Sequence, residues 1–239
     1  MASVLQQYHQ LADRMATQIT GSYQSWTDFL TTAARLYKYP YHEQLMIYAQ
    51  RPEATACADY ELWNKRMGRY VRRGAKGIAL IDHSGDAPRL RYVFDVADTG
   101  RGRDAREPFL WSLDAENTPA VATALADAYG ENAETPLMEQ LHQVALQVTE
   151  NYFAEHAQEL GDILADASAT GYDEDALRGL AAESISYMLA SRCGLQPEVP
   201  AFTGLAPLVG QPKVIEALGV AVSTGSEQVL RQIERTIRD

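Results

Sequence analysis

The sequence predicts an α+β fold, with a small antiparallel sheet of about three to four strands packed with N-terminal helices and followed by an all-helical acidic extension. Three observations lead there. Apolar residues recur near a 3.6-residue period at both ends of the chain, and between positions 69 and 96 the period shortens to strand-like alternation. Charge also divides the chain, whose formal net charge is -11 over 239 residues. Residues 1–112 hold 15 Lys+Arg against 12 Asp+Glu, whereas residues 113–239 hold 6 against 20. The division suggests an α+β domain over 1–112 and an acidic helical domain over 113–239.

Val4, Leu5, Tyr8, Leu11, Met15 and Ile19 form one stripe before Gly21, which predicts a helix over 3–20. Ser25 and Asp28 resemble a capping pair for a second helix through Tyr37, with Trp26, Phe29, Leu30, Ala33 and Leu36 on one face. A third helix, Tyr41 to Arg51, should stop before Pro52. Asp59 is placed to cap a short helix carrying Leu62, Trp63 and Met67 that Gly68 ends. Strands are expected over 69–73, 77–82 and 89–96, with 109–113 as a further edge strand. In the third of these, Leu90, Tyr92, Phe94 and Val96 alternate with Arg89, Arg91, Val93 and Asp95, giving one half-buried face. The Gly-rich, charged stretch 97–107 reads as an exposed loop. Helices are then expected over 118–129, 135–160 and 173–192, followed by a linker-like passage over 195–212 and two closing helices.

Several chemistries lack their residues. Cys57 and Cys193 have neither the number for a disulfide scaffold nor the CxxC or CxxH spacing of a zinc site. There is no GxxxxGK[ST] loop, HExxH, GxSxG or strand-borne GxGxxG, so no enzyme activity and no cofactor is expected. His42 and Glu43 start like a zincin helix, but position 46 is Met. Asp82, His83, Asp86, Asp95 and Asp98 read as solvated turn residues rather than a metal site. No window is apolar enough for a membrane span, and a cytoplasmic location is expected.

The densest signal is basic. Lys65, Arg66, Arg69, Arg72, Arg73 and Lys76 fall within twelve residues that contain no acid, beside Trp63 and Tyr70 and among Gly68, Gly74 and Gly77. A single nucleic-acid strand is held by cations along its phosphates and flat rings beneath its bases, and this segment supplies both. Arg89 and Arg91 are placed to extend the basic surface.

These residues carry a resemblance. The stretch from Tyr41 to Pro52, then Trp63, Gly68, Val71, Gly74, Lys76 and Gly77, resembles the N-terminal single-stranded-DNA-binding domain of ArdC-type antirestriction proteins. The likeness is closer to that module at the N-terminus of large helicase or methyltransferase proteins of conjugative and other mobile elements, through residues 48–57, 74–82 and 88–96. The resemblance implies DNA binding, with Gln44 and Gln50 of the third helix and the Trp63–Gly77 segment in the contact surface. The metallopeptidase-like half of the family, with its HExxH, is missing, and the acidic helices have no counterpart there.

The reading is therefore a sequence-tolerant single-stranded-DNA-binding module of a mobile-element protein. Its contact residues are Gln44, Gln50, Trp63, Lys65, Arg69, Tyr70, Arg72, Arg73, Lys76 and Arg91. The alternative is an acidic DNA mimic, or an inhibitor that binds a restriction or other nucleic-acid enzyme. A host defence or DNA-processing protein would then be the partner of the acidic half.

Overall fold

Ser3 opens the first helix with a reciprocal cap: its hydroxyl accepts from the Gln6 amide, and the Gln6 side chain accepts from the Ser3 amide. Helix α1 runs Val4–Ile19, α2 Tyr23–Arg35 and α3 Tyr41–Gln50. The cap of α2 is Ser22, three residues before the expected Ser25, and its hydroxyl accepts from the Ser25 amide at 3.1 Å. The computed structural model describes residues 3–130, 132–167, 173–197, 200, 202, 204–208 and 210–238.

The strands are β1 (Cys57–Asp59), β2 (Arg69–Val71), β3 (Ile78–Asp82), β4 (Arg89–Asp95) and β5 (Thr99–Arg101). They make an antiparallel sheet in the order β1-β4-β3 and a separate antiparallel ribbon of β2 and β5. A wide π-type turn, Leu62–Arg66, joins β1 to β2, and the Asp59 carboxylate accepts from the Leu62 amide as expected. Three expectations fail. Strand β1 was missed, being too short to show alternation. Residues 109–113 form no strand. The stretch 97–107 is more than an exposed loop, because Thr99 and Gly100 are buried in β5. Its later part closes around Gly68: the Gly102 amide donates to the Gly68 carbonyl, and the Arg106 amide to that of Met67.

The buried face of β4 is the opposite of the one the alternation suggests. Val93 and Asp95 point inward, while Tyr92 is 48% exposed. Polar partners on the inner side decide this. Arg91 reaches Glu43 of α3 at 2.5 Å, and the Asp95 carboxylate accepts from the amides of Thr55, Ala56 and Ala97. A buried charge is tolerated when so paired and hydrogen-bonded. Beneath this face Leu36, Met46, Ile47, Ala54, Ile78, Leu80 and Val93 form a small core.

The C-terminal segment contains α4 (Thr118–Tyr129), α5 (Leu137–Glu155), α6 (Ala157–Ala167), α7 (Glu174–Arg192) and α8 (Pro212–Arg238). The expected helix over 135–160 is broken at His156, whose ring stacks on Tyr152 at 4.1 Å and places Nδ1 2.9 Å from the Tyr152 carbonyl. That contact competes with the helical ladder. The passage before α8 is partly inside the protein, since Phe202, Leu205 and Leu208 are buried. The two closing helices are one helix of 27 residues. No described helix is long and apolar enough to cross a membrane.

The boundary expected at residue 112 does not separate two cores. Trp26, Phe29 and Leu30 of α2 share the main core with Val144, Val148, Ile185, Leu218 and Leu230. The Trp26 indole donates to the Ser184 hydroxyl at 2.9 Å, and the Tyr37 hydroxyl donates to Glu234 at 2.5 Å. Helices α1–α3 have one side for the sheet and another for the acidic helices. The charge difference thus lies on the surface of a shared core, where solvated side chains cost little.

Gly219 of α8 shows how close this packing is, because a Cβ there would overlap the buried Tyr41 ring. A Cβ on Gly179 of α7 would meet nothing within 4 Å. Gly179→Ala is therefore expected to raise stability by about 0.5–1 kcal/mol through helix propensity. Gly219→Ala should lower it by about 1–3 kcal/mol through overpacking. Urea denaturation of the two variants checks the pair, and equal shifts would contradict the contact.

Candidate nucleic-acid interface

The turn between β2 and β3 positions three exposed cations. The Arg72 amide donates to the Asp98 carbonyl, its Nη1 to the Ala97 carbonyl at 3.2 Å, and the Ala75 amide closes the turn onto the Arg72 carbonyl. Gly74 supplies a backbone φ of +88°, a region that side-chain-bearing residues rarely enter. Arg72, Arg73 and Lys76 are exposed, and none has a carboxylate partner among the described residues. Strand β2 ends at Val71, so Arg72 and Arg73 lie beyond it, although a strand was expected over 69–73. Both project from the turn.

Exposed rings flank this turn. Tyr70, 52% exposed, lies over Gly100, where a Cβ would overlap its ring. At the other end Gly77 rests against Tyr92 and Phe94, with Cβ approaches of 3.1 and 3.3 Å. The glycines at 77 and 100 thus let the backbone pass close to the rings. The surface consists of Tyr70, Arg72, Arg73, Lys76 and Tyr92. Tyr92 was not among the expected contacts. Its alternation with Arg91 and Val93 is visible in the sequence, but alternation alone does not say which face meets water.

The other expected contacts divide by what holds them. Gln44 is 1% exposed, and its amide donates to the Leu36 carbonyl, which removes it from any surface. Gln50 donates to the Met46 and Ala79 carbonyls and accepts from the Ala79 amide, so it covers the free edge of β3 as a strand partner would. Trp63 is 2% exposed and donates from its indole to the Phe94 carbonyl at 2.8 Å. It is a core residue. Arg69 is buried, donating to the Thr99 hydroxyl and pairing with Glu107 at 2.9 Å. Arg91 is committed to Glu43, while Lys65 is exposed but sits 2.6 Å from Glu61.

A second cationic cluster was invisible in the charge count. Of the six Lys and Arg after residue 112, four gather with Lys38 at one end of the molecule: Arg192, Arg231, Arg235 and Arg238. They surround Glu234, which receives Tyr37, Lys38 at 2.7 Å and Arg238 at 2.8 Å. Burial alone would raise the Glu234 carboxyl, but these three donors outweigh it and hold it below the ordinary carboxylate value.

The chemistry of the remaining candidates is structural. Asp82 accepts from Ser84 and from Arg89, and Asp98 pairs with Arg51. Burial pushes the Cys193 thiol up to about 12 and raises Cys57 as well, with nearby Asp95 adding to the latter. Both stay protonated near neutral pH, which leaves no thiolate nucleophile at either position.

In comparisons with known proteins, no family model, no curated protein and no solved structure matches this chain.

Proposed function

We propose that the chain is a non-enzymatic, sequence-tolerant single-stranded-DNA-binding module of a mobile-element protein that acts in antirestriction or DNA processing. The observation that carries DNA binding is the exposed turn Arg72–Gly77, whose three cations have no carboxylate partner among the described residues, with the exposed ring of Tyr70 preceding it and that of Tyr92 against Gly77. Cations along a backbone with rings for the bases suit a splayed strand. The mobile-element setting rests on the ArdC-type resemblance of residues 41–52 and 63–77.

Fluorescence anisotropy with labelled oligonucleotides tests the reading. Single strands of different base composition should bind alike and more tightly than duplex. The logarithm of the binding constant should fall linearly with the logarithm of salt concentration, with a slope of about 0.7 per phosphate contact. Absence of binding at low salt, or tighter binding to duplex, would contradict it.

A further inference from the structure

Two adjoining cavities, of about 330 and 280 Å³, lie where the second cationic cluster meets the sheet. Arg35, Thr55, Leu110 and Arg192 line both. The first also has the Thr31 and Ser191 hydroxyls in its wall. The second is walled by Tyr39, Leu62, Trp63 and Phe109 and edged by Lys38 and Arg238.

Arg192 stands out within this frame. Burial depresses its pKa, and it stacks on the Trp111 ring at 3.5 Å, yet among the described residues it has neither a hydrogen-bond acceptor nor a carboxylate partner. The nearest acid of the network, Glu234, is already engaged by Tyr37, Lys38 and Arg238. A half-buried guanidinium without an acceptor carries a desolvation cost that an anion would relieve. Arg35 contributes as well. Its Nε and Nη2 donate to the Ala54 and Pro52 carbonyls, which fixes the side chain, while Nη1 has no partner among the described residues. The two arginines form a donor pair suited to phosphate, with the Ser191 hydroxyl beside them.

We propose that the paired cavities bind one nucleotide, with its phosphate at Arg192 and Arg35 and its base in the apolar cavity beside Tyr39, Leu62 and Phe109. This deepens the DNA-binding reading and rests on it for the polymer, because a strand held at the Arg72–Gly77 turn could insert one splayed nucleotide here. The shared chemistry is a phosphate next to a flat ring, and a free nucleotide is the other source.

The test uses the full chain, with dAMP, deoxyadenosine and an oligo(dA) strand as probes and with tryptophan fluorescence and calorimetry as readouts. dAMP should bind and alter the emission, since Trp63 and Trp111 line the cavities. Deoxyadenosine should bind at least tenfold more weakly. Arg192→Met should weaken dAMP at least tenfold without lowering the melting temperature, because it removes an unpaired, partly desolvated charge. If that variant does not fold, Ser191→Asp, which sets a carboxylate beside Arg192, should produce the same loss. The variant with alanine at Arg72, Arg73 and Lys76 should bind dAMP normally and oligo(dA) poorly. No dAMP binding, or binding indifferent to both cavity variants, overturns the proposal even where oligo(dA) still binds. If dAMP binds as described and oligo(dA) does not, the cavity is a free-nucleotide site and the DNA reading falls instead.

Discussion

Replacing Arg72, Arg73 and Lys76 together by alanine is expected to weaken single-stranded DNA binding by on the order of a hundredfold at low salt, for all base compositions alike. The salt dependence should flatten by about 2 logarithmic units, because each lost phosphate contact removes about 0.7 from the slope. The fold should be untouched, since the three side chains are exposed and have no carboxylate partner among the described residues. Tyr70→Ala and Tyr92→Ala should each remove a stacking contribution of about 1–3 kcal/mol while leaving the salt slope nearly unchanged. Anisotropy titrations at several salt concentrations separate the two kinds of loss. A triple variant with wild-type affinity and slope would move the interface away from this turn.

Trp63→Ala should act through stability instead. The indole is fully buried between the Leu62–Arg66 turn and the sheet, and it donates to the Phe94 carbonyl. Removing it leaves a large cavity and an unfilled hydrogen-bonding position, for an expected cost of about 3–5 kcal/mol. Trp63→Phe keeps most of the volume and should cost markedly less. Denaturant midpoints measure the difference, and under conditions where Trp63→Phe is fully folded its DNA affinity should match the wild type. A Phe variant that is fully stable yet defective in binding would return Trp63 to the contact surface.

These two predictions separate residues that the sequence alone had grouped. Trp63, Gln44 and Arg69 have the side chains of a nucleic-acid interface, and Trp63 and Arg69 sit in or beside the strongest basic segment. Their local pattern does not say whether they face water. The Phe94 carbonyl, the Leu36 carbonyl and the Thr99–Glu107 pair claim them for the interior. Arg72, Arg73 and Lys76 remain exposed on their turn, with no carboxylate partner among the described residues. Tyr92 joins them because Glu43 draws Arg91 and its neighbours to the other face of β4.

Helix positions and some of their ends were readable from local chemistry: the stop of α3 before Pro52, Asp59 on Leu62, and the start of α7 at Asp173. Each depends on residues only a few positions apart. The α+β class followed from the change of period, for the same reason. Features set by distant partners could not be read this way. Two closing helices were expected, but Gly219 and Gly225 lie inside α8 where it meets Tyr41 and Ile185, and one helix runs through them. The division of charge at residue 112 was present in the sequence, yet α2 packs into the core of the acidic helices and four of that segment's six cations converge around Lys38. Local sequence determines backbone propensity and the overall sign of each segment. Which face is buried, and which charges end up side by side, is decided by packing between residues far apart in the chain, where burial and pairing outweigh periodicity.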